Sequence, residues 1–418
     1  MLAKELISSH MRKLSIAIVF TVLTAGTIDV RAEQFEVIDV SNSSFVSGIS
    51  ADGATVVGKT CTGSKCSGGG FAWSNGLIAT VNPLVGAAVS EIQGISADGS
   101  VIVGSSVDAS NQRRATIWKR LDSFSIPIDL GTLGGITSAA YAVSTDGSVF
   151  VGESHLNEFE NHAFRWTKDT GMQDLGTLGG ISSRATHLSA DGSVVAGVST
   201  LVNSDIHAFR WTADSGIRDL GTLGGGYSVT LDVSAGGDVI VGDSTLSSSA
   251  VRAFRWTEGA SMQDLGTLGG DESLAGAVSA TGAVVVGYSR LSNSEIRAFR
   301  WTESTGMQNL GTLGGSGSVA AAVSADGSTV VGYSTLVNSE NRAFRWTEGA
   351  GMQGLGTLGG NQAMAYKISA DGRVVAGTST TADGATHAAL WKFAPVNPPE
   401  PGGPNPESPK PEVPALID

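Results

Sequence analysis

The stretch LGTLGG stands at Leu130, Leu175, Leu220, Leu265, Leu310 and Leu355. Glycine-rich turns of this kind can cradle phosphate when a strand leads in and a helix leads out, so that amide N–H groups converge on the anion. No helical periodicity follows any copy. The six copies therefore read as a strand end and a turn carrying the chain to the next unit. A second candidate is the imidazole at His162, His207 and His387, each four residues before a tryptophan. Imidazole is a common metal ligand, but Arg114, Arg252, Arg297 and Arg342 hold the same place, and guanidinium only donates. Hydrogen bonding or stacking is the role both can share. No metal and no cofactor is expected. His155 and His187 have no counterpart in other units and read as loop or strand polar residues outside any triad spacing.

Glu160, Asp205, Glu295 and Glu340 stand six residues before their tryptophans, hence at one height on one face of a repeated structure. Such a set of carboxylates can focus a negative field on a cationic ligand, and these four are the binding candidates. Arg165, Arg210, Arg255, Arg300 and Arg345 directly precede tryptophans and are expected between units, paired with carbonyls or carboxylates. Cys61 and Cys66 share one glycine-rich loop; an even count in an exported chain points to a disulfide. No catalytic residue is assigned.

The elements that position these residues follow from Trp73, Trp118, Trp166, Trp211, Trp256, Trp301, Trp346 and Trp391, which recur every 45 residues apart from one gap of 48. Each unit reads as four short strands, as in AAAVS, STVVGYS, RAFRWT and MQGLGTL. Asp326-Gly327 reads as a type I′ hairpin turn between the first two strands. Gly53, Gly99, Gly147, Gly192, Gly237, Gly282, Gly327 and Gly372 fill the second turn position in every unit, whereas the aspartate before them gives way to Gly236 and Thr281. A further glycine, such as Gly242, recurs five residues on and predicts a bulge or a close backbone approach. Burying one indole removes about 150–250 Å² from water, worth at most about 4–6 kcal/mol.

Four strands cannot bury both their faces, so copies must stack. The fold expected is an all-β propeller of eight four-stranded blades, with seven blades or an open stack as the alternatives. The eighth unit lacks its last strand. Phe35–Val40, FEVIDV, would supply it from the other end of the chain and hide an edge.

Of 418 residues, 57 are glycine and the formal charge is −13, which gives no footprint for nucleic acid or an anionic membrane. Met11 to Ala32 reads as a signal peptide with its true start at Met11, its apolar run being too short to span a bilayer. Residues 33–394 are the propeller. Residues 395–418 hold nine of the eleven prolines and read as an extended tail or spacer.

The His-Ala-Phe triplets at His162–Phe164 and His207–Phe209, with the LGTLGG copies, resemble the HAF repeats of bacterial exported proteins over most of residues 90–392. That resemblance implies export, in some relatives an autotransporter passenger, and assigns no catalytic residues. It is looser in units five to seven, where arginine replaces the histidine. The reading is a non-enzymatic, monomeric binding or scaffold propeller located in the periplasm, at the cell surface or outside the cell. Its ligand would be cationic, glycan or protein, without nucleic acid and without a transmembrane segment in the mature chain. A propeller enzyme, for example a glycan-active one, is the alternative; it would break the repeat with unmatched acids, histidine or arginine at the channel mouth. The unmatched features noted are Cys61, Cys66, the insertion after Trp118, Asp271 and Glu272. Denaturant melts are expected to show a loss of about 3–5 kcal/mol for Trp256→Ala and a change within about 0.5 kcal/mol for Glu295→Ala.

Overall fold

The computed structural model describes residues 34–38, 43–61, 69–108, 110, 112–121 and 124–394. The expected leader, Val40, Cys66 and the proline-rich segment lie outside them. Cys61 ends a strand, is buried and is not a free thiol.

The described residues form 32 strands in eight four-stranded antiparallel blades. In blade 4, from the axis outward, strand a is Gly179–Leu188, b is Val194–Leu201, c is Ile206–Thr212 and d is Gly216–Asp219. Strand d is shorter than expected, because the LGTL residues already belong to the crossing to the next blade. Blade 8 takes strands a to c from Gly359–Ile368, Val374–Thr381 and Thr386–Lys392, and its strand d from the other end of the chain, Gln34–Ile38. Phe35 pairs with Trp391 and stacks on its ring at 5.3 Å. Glu36 accepts from Lys392 Nζ at 3.0 Å. The eight-blade expectation and its closing strand are both met.

Closure is also written in the backbone. Each a–b turn places one residue at the axial rim. Ala51 N–H donates to Ala97, Ala97 to Thr145, Thr145 to Ala190, and so through Ala235, Ala280, Ala325 and Ala370, which donates back to Ala51. These eight bonds span 2.8–3.2 Å. Backbones bonded this way stand about 4.8 Å apart, so eight make a circle about 12 Å across between opposite chains.

Side chains follow the same periodicity. Each hydrophobic cluster among the described residues spans one blade boundary. Ala196, Ala208 and Leu220 of blade 4, for instance, meet Ile240, Phe254 and Trp256 of blade 5. Ile38, Ala388 and Leu390 of blade 8 meet Val56, Phe71 and Trp73 of blade 1, which completes the circle. Alternation along strand c explains this. Phe164 and Trp166 face blade 2, while Ala163 faces blade 4. Seven of the tryptophans are 0–5% exposed, and Trp166 is only partly buried.

The a–b turn differs from the type I′ expectation. Gly327 N–H bonds to Ser324 O, so Ala325 and Asp326 are the central pair and only the following Gly327 takes positive φ, +76°. The aspartate side chain decides this, because Asp326 accepts from the Ser324 hydroxyl and from the Ser328 amide, an Asx arrangement suited to negative φ. Asn75-Gly76, between strands c and d of blade 1, has both residues at positive φ, as a type I′ turn needs.

The glycine inside strand b meets both of its predicted causes. Strand a carries a bulge opposite it, between Thr230 and Asp232 in blade 5, and a Cβ on Gly242 would stand 1.8 Å from Val229 O. Gly242→Ala is expected to destabilise by about 3 kcal/mol or more through overpacking. Gly259→Ala, where the added methyl meets open space, should cost only about 1 kcal/mol for its positive φ. Urea melts of the two variants compare them directly.

Candidate functional site

The glycine-rich crossings spend most of their amides on their own side chains and neighbours. In the crossing from blade 3 to blade 4, Gly176 N–H donates to Asp174 Oδ1 at 2.8 Å, Leu178 to Ser199 Oγ at 2.9 Å and Gly179 to Thr177 Oγ1 at 3.2 Å. The chain then enters another strand. These loops are architecture.

In blades 2 to 4 the shared His/Arg position joins strand c to strand d. His162 Nδ1 lies 2.9 Å from Asp174 Oδ1, and His207 Nδ1 lies 2.9 Å from both carboxylate oxygens of Asp219. Arg114 makes the same pairing with Asp129. His387 has Val37 where those blades have the aspartate, and its Nδ1 is buried without a partner. The arginines before tryptophan reach the following blade: Arg165 lies over Trp211 at 5.9 Å and donates to Gly192 O at 3.0 Å. Arg210, Arg255 and Arg300 stack likewise on Trp256, Trp301 and Trp346. Arg345 covers Phe393.

Glu160, Asp205, Glu295 and Glu340 occupy equivalent b–c loops of blades 3, 4, 6 and 7, on the face where the a–b turns are absent. Each carboxylate also has a neighbour on its own loop. Asn157 donates to Glu160 at 2.9 Å and Asn203 to Asp205 at 2.7 Å. Arg297 pairs with Glu295 at 2.7 Å and Arg342 with Glu340 at 3.8 Å. They share a face as separate local pairs. An open cleft of about 490 Å³ between blades 7 and 8 is lined by Glu340, Asn361 and Asp383.

Residues that break the repeat gather nearer the axis, which reading the sequence for shared positions overlooked. Two residues before the turn serine, the units carry Gly48, Gly94, Ala142, His187, Asp232, Ala277, Ala322 and Lys367. Five are glycine or alanine. The other three are an imidazole, a carboxylate and an ammonium, and comparing this one column across units would have exposed them. Asp232 accepts from Val233 N and from Val278 N of blade 6, both at 2.9 Å. Asp243 accepts from Ala275 N of the same neighbouring strand at 2.8 Å. Glu153 accepts from Tyr141, from Asn161 at 2.8 Å and from Arg184 of blade 4 at 2.7 Å.

Environment sets the proton affinities. Burial pushes Asp232 up to about 6, only partly offset by the two amides and the charge of Lys367. Burial likewise pushes Asp243 up to about 7, against the Ala275 amide and with the charge of Glu272 adding to the rise. Burial first, then Lys367, lowers His187 to about 4. His187 and Asp232 are packed round by protein yet not fully buried. At the turns the sign reverses: Asp52, Asp98, Asp146 and Asp191 lie below the usual carboxylate range, held foremost by the serine hydroxyl two residues back.

No protein-family model matches the sequence, and no curated protein matches it. Solved structures match in fold. A prolyl endopeptidase is 11% identical over 83% of this chain and 54% of its own, with a TM-score of 0.54. Dipeptidyl peptidase 4 of Porphyromonas gingivalis is 12% identical over 84% and 59%, with a TM-score of 0.52. The Dos1 propeller is 10% identical over 86% and 95%, with a TM-score of 0.51. The chain thus spans little more than half of either peptidase, and it spans 64% of TolB from Acinetobacter baumannii, a weaker match at a TM-score of 0.39. The three likenesses with TM-scores above 0.5 establish a propeller fold. Among the described residues, no helix is long and apolar enough to cross a membrane.

The raised carboxyls fix a pH dependence. Between the unfolded carboxyl value of about 4 and the folded values of Asp232 and Asp243, the folded state binds more protons than the unfolded state, so stability falls as pH rises through about 6 to 7. Below the unfolded value, the turn aspartates lose their contribution as pH falls through their lowered values. His187, lowered to about 4, works in the opposite sense below about 6.5, where the unfolded imidazole takes a proton that the folded one does not. Two raised carboxyls outweigh one lowered imidazole, so the melting temperature is expected to be higher at pH 5 than at pH 8, and Asp243→Asn should shrink that difference. Calorimetry across this range checks both.

Proposed function

We propose that this protein is an exported, non-enzymatic propeller of the HAF-repeat kind whose work is binding. Its contact surface is the face carrying Glu160, Asp205, Glu295 and Glu340, and its partner is a protein segment bearing apolar and basic side chains. The observation that supports this is the distribution of exposed apolar residues. Ile136, Phe159, Ile181, Val202 and Tyr227, 39–85% exposed, crowd the b–c loops and crossings of blades 3 to 5 on that one face. Exposed apolar patches rimmed by polar groups are a mark of interaction sites. Here the rim includes Glu158, Glu160 and Asp205, which favour a cationic partner. The positions equivalent to Phe159 in blades 2 and 4 to 8 are serine, asparagine or glycine, so the blade fold does not require that side chain, while Val202 recurs as the exposed Val337 of blade 7.

An array of peptides pairing leucine or phenylalanine with arginine or lysine, beside acidic and purely polar controls, tests this on the exported chain. Saturable binding of the basic apolar peptides is expected. It should weaken at least ten-fold, about 1.4 kcal/mol, in Phe159→Ser with Val202→Ser, and also in the quadruple alanine variant of the four acids. Binding confined to glycans in a parallel glycan array, or binding indifferent to both variants, would overturn the reading.

A further inference from the structure

His187, Asp232 and Lys367 share one register position on the innermost strands of blades 4, 5 and 8, opposite Ala196, Val241 and Ala376 of their strands b. In a closed ring of eight, blade 8 stands directly across the axis from blade 4 and next to opposite from blade 5. Lys367 is exposed, and its charge acts on both His187 and Asp232. It closes no ion pair and makes no hydrogen bond among the described residues. Asp232 is held in place by one backbone amide on each carboxylate oxygen, which leaves a further lone pair on each. His187 uses Nδ1 on the Thr186 hydroxyl at 2.9 Å, and its other ring nitrogen has no partner among the described residues. The five remaining members of this level are glycine or alanine.

Ring closure sets an ammonium on one side of the axis and a carboxylate on the other. Opposite backbones at the neighbouring rim stand about 12 Å apart, so a lysine arm and a short aspartate side chain reaching inward would be bridged by a ligand of a few heavy atoms. A purely anionic ligand placed there would meet Asp232, and a purely cationic one would meet Lys367. Opposite charges carried on one small molecule satisfy both walls, each through a charge-assisted hydrogen bond. We propose that the axial channel binds a small zwitterion of the free α-amino acid class, its carboxylate on Lys367, its ammonium on Asp232 and His187 supplying a further hydrogen bond. The site lies on the axis, away from the loop-face patch, and stands without the partner proposed for that face.

Isothermal titration of the full chain with L-alanine, alaninamide and propionate separates the charges. L-Alanine is expected to bind saturably, and the cation-only and anion-only analogues at least ten-fold more weakly. Lys367→Ala restores the residue that blades 3, 6 and 7 already carry here and removes no hydrogen bond, so its fold should hold, as circular dichroism would check. It is expected to weaken L-alanine binding ten-fold or more. Phe159→Ser, on the loop face, should leave that binding unchanged while weakening the basic apolar peptides, so the two proposals fail separately. Propionate binding as well as L-alanine, absence of saturable L-alanine binding, or full affinity in a folded Lys367→Ala protein would each overturn the axial site.

Discussion

Eight backbone amides at the axial rim, each donating to the next turn and accepting from the one before, set the geometry of everything outside them. A net gain of about 1 kcal/mol per hydrogen bond makes the circle a modest contributor next to eight apolar interfaces. Its importance is geometric. An open stack would leave one donor and one acceptor unpaired at its ends, and neither is there. The demand falls on backbone atoms, and the residue at the rim stays small: alanine in seven turns and Thr145 in one. The serine before it receives the aspartate or its substitute, which keeps each turn in the shape that aims the rim amide sideways.

Outside the rim, the repeat separates what holds the blades from what varies between them. The arginine on strand c covers an aromatic ring of the next blade, in blades 2 to 4 the arginine or histidine three residues earlier ties strand c to strand d, and the strand-b glycine lets the bulged strand a come close. These positions recur because each blade meets the same neighbour. Several residues without counterparts fall on the tips of the loops on one face and on the innermost strands. Asp232 and Asp243 show that an unmatched residue can also be structural, since both clamp the first strand of blade 6.

The blade count, the closing strand and the inter-blade place of the arginines were legible in the sequence because each rests on periodicity, and eight tryptophans report it. The turn was misjudged because Asp-Gly fits two hairpin turns, and only the serine two residues before the aspartate selects the one observed. The aspartate looked dispensable where Gly236 replaces it. In fact Asp238, two residues on, takes the bond from Ser234 at 2.8 Å. The axial groups were hidden for another reason. His187 was visible as a residue with no equivalent, but Asp232 and Lys367 lie 45 and 180 residues away in sequence, and only closure of the ring makes them face one another.

The seam in blade 8 imposes an order in time. Glu36 meets Lys392 across 356 positions of chain, so the first strand to leave a ribosome or a translocation pore has no place to dock until the last one arrives. Seven blades can assemble while synthesis or passage continues, yet the first blade's open flank and the unclaimed strand must both wait. Contacts this remote in sequence are slow to form. A truncated chain would therefore keep a sticky edge, and only a finished one would present a sealed circumference.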